Sequence, residues 1–214
     1  MAYYLIKGTN PMLIKCFSLL LTALTATAAM NAVQPNATYT DELCVYRRQI
    51  SYVAVVDQST SVATSEQVGT LKKPFATLQQ ALDKASKKNR RAVIILKSGT
   101  YQPEDGKTAF EFSGSNNLTV MALGKVQISA ESFIWNMPTS EQKRTLVIAS
   151  KGEKSSMQMD THLSIQNDES TIVAVTLRNV SVQKLSVQNK GHLFFIKSTV
   201  GALNAPQAEV HKSA

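Results

Sequence analysis

Cysteine is scarce in this 214-residue chain: Cys16 and Cys44 are the only two. C-x-x-C pairs, G-x-S-x-G and glycine-rich phosphate loops are all missing, which removes thiol-redox, serine-hydrolase and nucleotide-binding readings. Acids are few, 15 against 23 Lys and Arg, for a net charge of +8. The only dense acidic pairs are Glu104-Asp105 and Asp168-Glu169, and adjacent residues on extended chain point to opposite sides, so neither pair alone holds a metal. The three histidines, His162, His192 and His211, show no metal-ligand spacing, and no metal or cofactor is expected. There is one tryptophan, Trp135, and no basic stretch is interleaved with an aromatic stacking platform, so nucleic acid is excluded as a partner.

What is present starts with a leader. Lys7 and Lys15 precede an uncharged run with C-F-S-L-L-L-T-A-L-T-A at its heart, followed by Ala26-Thr27-Ala28. A basic start, a short apolar core and a small-residue motif predict a secretory signal peptide over residues 1–28. The run is too short and threonine-rich for a stable membrane span, which takes about 20 mostly apolar residues. Lys15 before Cys16 disfavours lipoprotein processing, which wants a small residue there. Cleavage would leave Cys44 alone, with no internal disulfide, and a mature balance of +6 suited to an acidic polysaccharide. The expected location is secreted, periplasmic or at the cell surface.

Residues 29–50 read as a polar arm, and order is expected from about Ser51. Tyr52-Val53-Ala54-Val55-Val56 reads as a strand, Thr77 and Gln80 as a capping box, and Leu78, Ala81, Leu82 and Ala85 as one apolar helix face within Thr77 to Lys87. Further on, Leu163-Ser164-Ile165-Gln166-Asn167 recurs as Leu185-Ser186-Val187-Gln188-Asn189, one 22-residue step later, each followed by an apolar strand. In a solenoid such segments stack. The asparagines would bond along the axis, and Asn tolerates left-handed backbone at a turn. Leu118-Thr119-Val120 is also a repeat candidate, with Leu146-Val147-Ile148-Ala149 about six residues out of step. The slip predicts a loop insertion over Ser132 to Lys143, holding Trp135 and Pro138, with Trp135 a core or lid aromatic rather than a sugar platform.

The segments G-T-L-K-K-P-F-A-T-L-Q-Q-A-L, from Gly69, and S-G-T-Y, from Ser98, resemble the N-terminal region of the pectin-lyase-like superfamily, which includes pectinesterases and pectate lyases. The resemblance implies an all-β fold over 51–203, a right-handed parallel β-helix or single-stranded solenoid with a short N-terminal capping α-helix, and a polar tail over 204–214. The alternative for the helix is an ordinary crossover into Val93 to Leu96. The resembling residues are architectural in that family. Its pectinesterase motifs Q-D-T-L and D-F-I-F-G are absent, and no catalytic set is assigned.

The leading expectation is a non-catalytic polysaccharide-binding or cell-surface module, with self-association through an uncapped C-terminal end. A polysaccharide lyase or pectinesterase-like enzyme would have to use an unrecognised site, with Asp168 and Arg178, or Asp160 and Asp168, as the nearest candidates. A truncated, inactive member is the third reading. Asn36, Asn117 and Asn179 open glycosylation sequons, which matter only in a eukaryotic source.

Overall fold

The computed structural model describes residues 50–88, 91–138 and 143–213. The expected leader, nearly all of the arm and Cys44 lie outside the described residues. Within them the chain is all-β apart from one short helix and a 3-10 turn, with eleven strands in one curled sheet. These are β1 (Ile50–Val56), β2 (Arg91–Tyr101), β3 (Ala109–Phe112), β4 (Leu118–Asn136), β5 (Arg144–Ser150), β6 (Ser156–Gln166), β7 (Val173–Arg178), β8 (Val180–Val187), β9 (Gly191–Ile196), β10 (Thr199–Asn204) and β11 (Ala208–Ser213). Ala208–Ser213, read from sequence as tail, therefore extends the sheet. All ten strand pairings are parallel.

The helix α1 (Leu78–Ser86) follows from its sequence. Thr77 accepts from Gln80 N at 3.3 Å while the Gln80 side chain accepts from Thr77 N at 3.3 Å, closing the capping box. Leu78, Ala81, Leu82 and Ala85 are buried against β1, β2 and β3. Gln79 adds a second tie: its amide donates to Glu111 O at 2.9 Å and accepts from Glu111 N at 3.0 Å, pairing β3 as a neighbouring strand would. Asn116 Nδ2 donates to Ala85 O at 3.1 Å, satisfying a carbonyl at the helix C-terminus. Because β1 and β2 are adjacent and parallel, α1 is also the crossover between them, so the two sequence readings of this helix describe one element.

The sheet is built from two ladders that meet in β2, whose Gly99 to Tyr101 pair with Val126 to Ile128, and in the 19-residue strand β4. One ladder runs through β1, β2, the start of β4, β5, β7, β9 and β11; the other runs through β3, the rest of β4, β6, β8 and β10. From β5 onward the chain alternates between them, an arrangement compatible with a solenoid. Inward side chains stack in register. In the first ladder Ala54, Ile94, Val120, Ile148, Leu177 and Phe195 form one buried column. In the second, Phe110, Phe133, Leu163 and Leu185 form another, and Phe112, Trp135, Ile165 and Val187 a third. Ring centroids lie 6.2 Å apart for Phe110 and Phe133 and 5.9 Å for Phe112 and Trp135. The Phe110 column ends on exposed Leu203, and exposed Val210 covers Leu193 in the neighbouring column of the first ladder.

The 22-residue repeat lies in register: Leu163 pairs with Leu185, Ser164 with Ser186 and Ile165 with Val187. The expected insertion over Ser132 to Lys143 begins as strand rather than loop, and residues 139–142 of it lie outside the described residues. Leu118 pairs directly with Leu146, in the first ladder, whereas Leu163 pairs with Phe133, in the second. The six-residue slip compares segments from different ladders. Ser132 to Asn136 is strand, and Trp135 is fully buried with its indole N–H donating to Gly114 O at 3.2 Å.

Asn167 and Asn189 are joined as expected: Asn167 Oδ1 accepts from Asn189 N at 3.1 Å, and Asn189 Nδ2 donates to Asn167 O. The left-handed backbone falls elsewhere: among the described non-glycine residues on Asn179 (φ 53°) and Lys197 (φ 47°), and among the glycines at Gly124 (φ 101°) in particular. Gly124 interrupts β4 between its two ladder segments, and Asn179 separates β7 from β8, so both sit where the chain passes between ladders. Asn117 and Asn179 use their side chains structurally: Asn117 Oδ1 accepts from Thr145 N at 2.9 Å, and Asn179 Nδ2 donates to Ser155 O at 3.0 Å.

Candidate functional site

The two ladders present different outer surfaces. Outward residues of the first are largely apolar: Val93, Ile95, Met121, Val147, Phe194 and Ile196 are half-buried, and Val53 and Leu123 are exposed. A hydroxyl-rich ligand gains little over these residues; toward β11 the outward His192, Glu209 and His211 are polar. The outward side of the second ladder is amide and hydroxyl instead. Strand alternation sends Met157, Met159, Thr161, Leu163 and Ile165 inward and Gln158, Asp160, His162, Ser164 and Gln166 outward. Gln127 and Ser129 of β4 lie beside Gln158 and Asp160; Lys184 and Ser186 of β8 lie beside His162 and Ser164.

These side chains already hold one another. Asp160 Oδ2 accepts from Gln127 Nε2 at 2.7 Å and its Oδ1 from Gln158 Nε2 at 2.8 Å. His162 Nε2 lies 2.8 Å from Ser186 Oγ. Thr199 Oγ1 donates to Ser181 Oγ at 2.9 Å, continuing the polar surface to β10. Partial burial, reinforced by the Lys184 ammonium, holds the His162 imidazole below its ordinary pKa, so the ring is neutral at neutral pH and offers a hydrogen-bond donor or acceptor rather than a charge. The face is a row of amides, hydroxyls and the His162 imidazole around the Asp160 carboxylate, with Lys184 at its side and strands about 4.8 Å apart.

The candidate enzyme residues are not brought together. Asp168 caps the turn before β7, its Oδ1 accepting from Ser170 N, Ser170 Oγ and Thr171 N at 3.1, 2.8 and 2.8 Å. Arg178 closes the far end of β7, about 16 Å of strand from Val173. Asp160 is separated from the Asp168 turn by the remainder of β6, roughly 20 Å to Gln166, well beyond the roughly 6.5–9.5 Å between carboxyls of an inverting glycosidase. Glu104 lies in the turn between β2 and β3, where its carboxylate accepts from Thr77 Oγ1 at 3.3 Å.

Compared with protein-family models, curated proteins and solved structures, the chain finds no match. Function therefore has to be argued from the surface itself. Sequence reading named the basic charge but missed the polar face, whose residues are scattered over β4, β6 and β8. Its signal was nonetheless present in the alternation of Met157 to Gln166, where each outward position is polar. In sequence His192 and His211 show no metal-ligand spacing, because they come together only across strands. Strand register places them on either side of the Glu209 carboxylate, at 3.2 Å from His192 Nδ1 and 3.9 Å from His211 Nε2.

Proposed function

We propose that this protein is an exported, non-catalytic module that binds an extended polysaccharide along the outer face of the second ladder. The observation that carries the reading is the row Gln127, Gln158, Asp160, His162, Ser164 and Ser186: amides, hydroxyls, an imidazole and one carboxylate held by their neighbours across adjacent strands, the chemistry that exchanges hydrogen bonds with sugar hydroxyls. Lys184 and the mature charge of +6, the full chain's +8 less Lys7 and Lys15, favour an acidic chain. The fold is read as a right-handed parallel β-helix like those of the pectin-lyase-like superfamily. Alternation between two parallel ladders supports it, and right-handed crossover is the strong preference for parallel strands. Secretion rests on the leader-like composition of residues 1–28.

A panel of acidic and neutral glycans tests the proposal by affinity electrophoresis and product analysis. Retention is expected on an acidic polysaccharide, without new reducing ends, unsaturated products or released methanol. Gln158→Ala and His162→Ala should each weaken it about 3- to 10-fold, the value of one net hydrogen bond, while Val147→Ala on the first ladder should not. Retention by no glycan, or weakening by Val147→Ala alone, overturns the binding face. Product formation overturns the non-catalytic assignment.

A further inference from the structure

We propose that His192, Glu209 and His211 form a binding site for a divalent transition metal of the zinc class. Two strands make the site. His192 in β9 is the direct register partner of Glu209 in β11, and His211, two residues on, returns to the same face. The Glu209 Oε2 oxygen lies 3.2 Å from His192 Nδ1 and 3.9 Å from His211 Nε2, and the three donor atoms lie within 4.8 Å of one another.

Tetrahedral zinc with bonds of about 2.0–2.1 Å sets its donors about 3.3 Å apart. The widest separation must close by about 1.5 Å, which rotation of half-exposed side chains supplies without moving the strands. His211 is already oriented: its ring stacks on Phe194, its register partner, with centroids 4.9 Å apart and planes 11° from parallel. Two imidazoles and one carboxylate match zinc. Calcium is not matched, since it takes six to eight oxygens. With three protein ligands, the fourth position falls to water or an incoming ligand. An open hollow lined by Ile172, Lys190, Gly191 and Gln207 adjoins His192 and Glu209.

A carboxylate between two imidazoles could instead be a plain ion pair, so the test must see the metal. Zinc is titrated into the purified full chain against a chromophoric chelator, with Trp135 fluorescence confirming the fold of each variant. The expected result is one equivalent bound without competition from calcium. His192→Ala, His211→Ala and Glu209→Gln should each lose affinity by more than the roughly 10- to 100-fold that removal of an outer-shell partner costs, and His162→Ala should lose none. No binding to the folded parent overturns the proposal. So does binding that survives the double variant His192→Ala/His211→Ala, or that disappears on Cys44→Ser alone.

Discussion

Removing the Asn167 side chain should cost far more than its size suggests. Asn167 is 2% exposed, and its Nδ2 donates to Thr171 O at 2.7 Å and Lys190 O at 3.2 Å while its Oδ1 accepts from Asn189 N at 3.1 Å. It therefore ties its own turn to the next turn of chain. Asn167→Ala breaks three bonds, each worth about 0.5–1.5 kcal/mol net, and leaves the carbonyl of buried Thr171 without this donor, for a loss of about 2–4 kcal/mol. Asn189→Ala loses only the donor to Asn167 O, about 1 kcal/mol, at a half-buried position. Asn167→Asp has nearly the same shape but, once ionised, turns a carboxylate oxygen toward two carbonyls, so it should be worse than Asn167→Ala at pH 7 and recover below about pH 4, where a protonated carboxyl can donate again. Urea unfolding followed by the fluorescence of Trp135, the one tryptophan, reads all three variants. If Asn167→Ala unfolds within about 0.5 kcal/mol of the parent, or Asn167→Asp matches the parent at pH 7, the asparagine contacts do not hold the turns together.

Ile165, 1% exposed between Trp135 and Val187, should tolerate no charge: Ile165→Asp places an unpaired carboxylate in the core, about 3–5 kcal/mol, and should abolish the cooperative unfolding transition seen by circular dichroism. Gly124→Ala imposes a Cβ on backbone at φ 101° and drives it into Ser98 Oγ, so the melting temperature should fall by an amount corresponding to about 1–3 kcal/mol; an unchanged melt would contradict the backbone assigned to that corner. The Asp57 carboxyl is held below the ordinary carboxylate pKa by Lys97 Nζ at 2.8 Å and by Ser59. The unfolded chain takes up that proton more readily, so this stabilisation is present above about pH 4 and drains as pH falls through the lowered value. Asp57→Asn should flatten that part of the acid-unfolding curve, with an effect at neutral pH of at most about 1 kcal/mol because the pair is partly solvated.

Much of the fold was legible because local rules and tertiary structure agree along this chain. The Thr77 capping box, the apolar face of α1 and the alternation that buries Leu163 and Ile165 are short-range patterns, and the 22-residue repeat sets the β6 to β8 register without knowledge of anything else. The two-ladder organisation was not legible, because apolar segments such as Leu118 and Leu163 look alike from sequence while belonging to different columns. Only pairing separates them: Leu118 meets Leu146, and Leu163 meets Phe133. The same blindness turned strand Ser132 to Asn136 into a loop. It also concealed both site proposals, since each gathers residues from strands that adjoin in space and not in sequence, His192 with Glu209 and Gln127 with Asp160.

The two outer faces show how such a framework divides its work. Core columns run through both ladders at the inward positions, so the outward positions carry less of the packing, and their chemistry can vary without altering register. In the second ladder Gln127, Gln158, Asp160, His162 and Ser186 are hydrogen-bonded to one another across the outer face, so a ligand meets groups whose rotamers are already restricted and gives up less ordering entropy on binding. Gln158 and Gln127 share the single Asp160 carboxylate, one on each oxygen. Asp160→Asn keeps an acceptor for only one of the two amides, so it should loosen both glutamines and weaken glycan retention by more than Gln158→Ala does, even though it removes a negative charge that an acidic polysaccharide would otherwise have to approach. Charge alone predicts the opposite: retention would rise with Asp160→Asn. Affinity electrophoresis of the two variants on one acidic glycan separates these outcomes, and stronger retention by Asp160→Asn would mean that net charge, not the preset row of amides and hydroxyls, governs binding at this face.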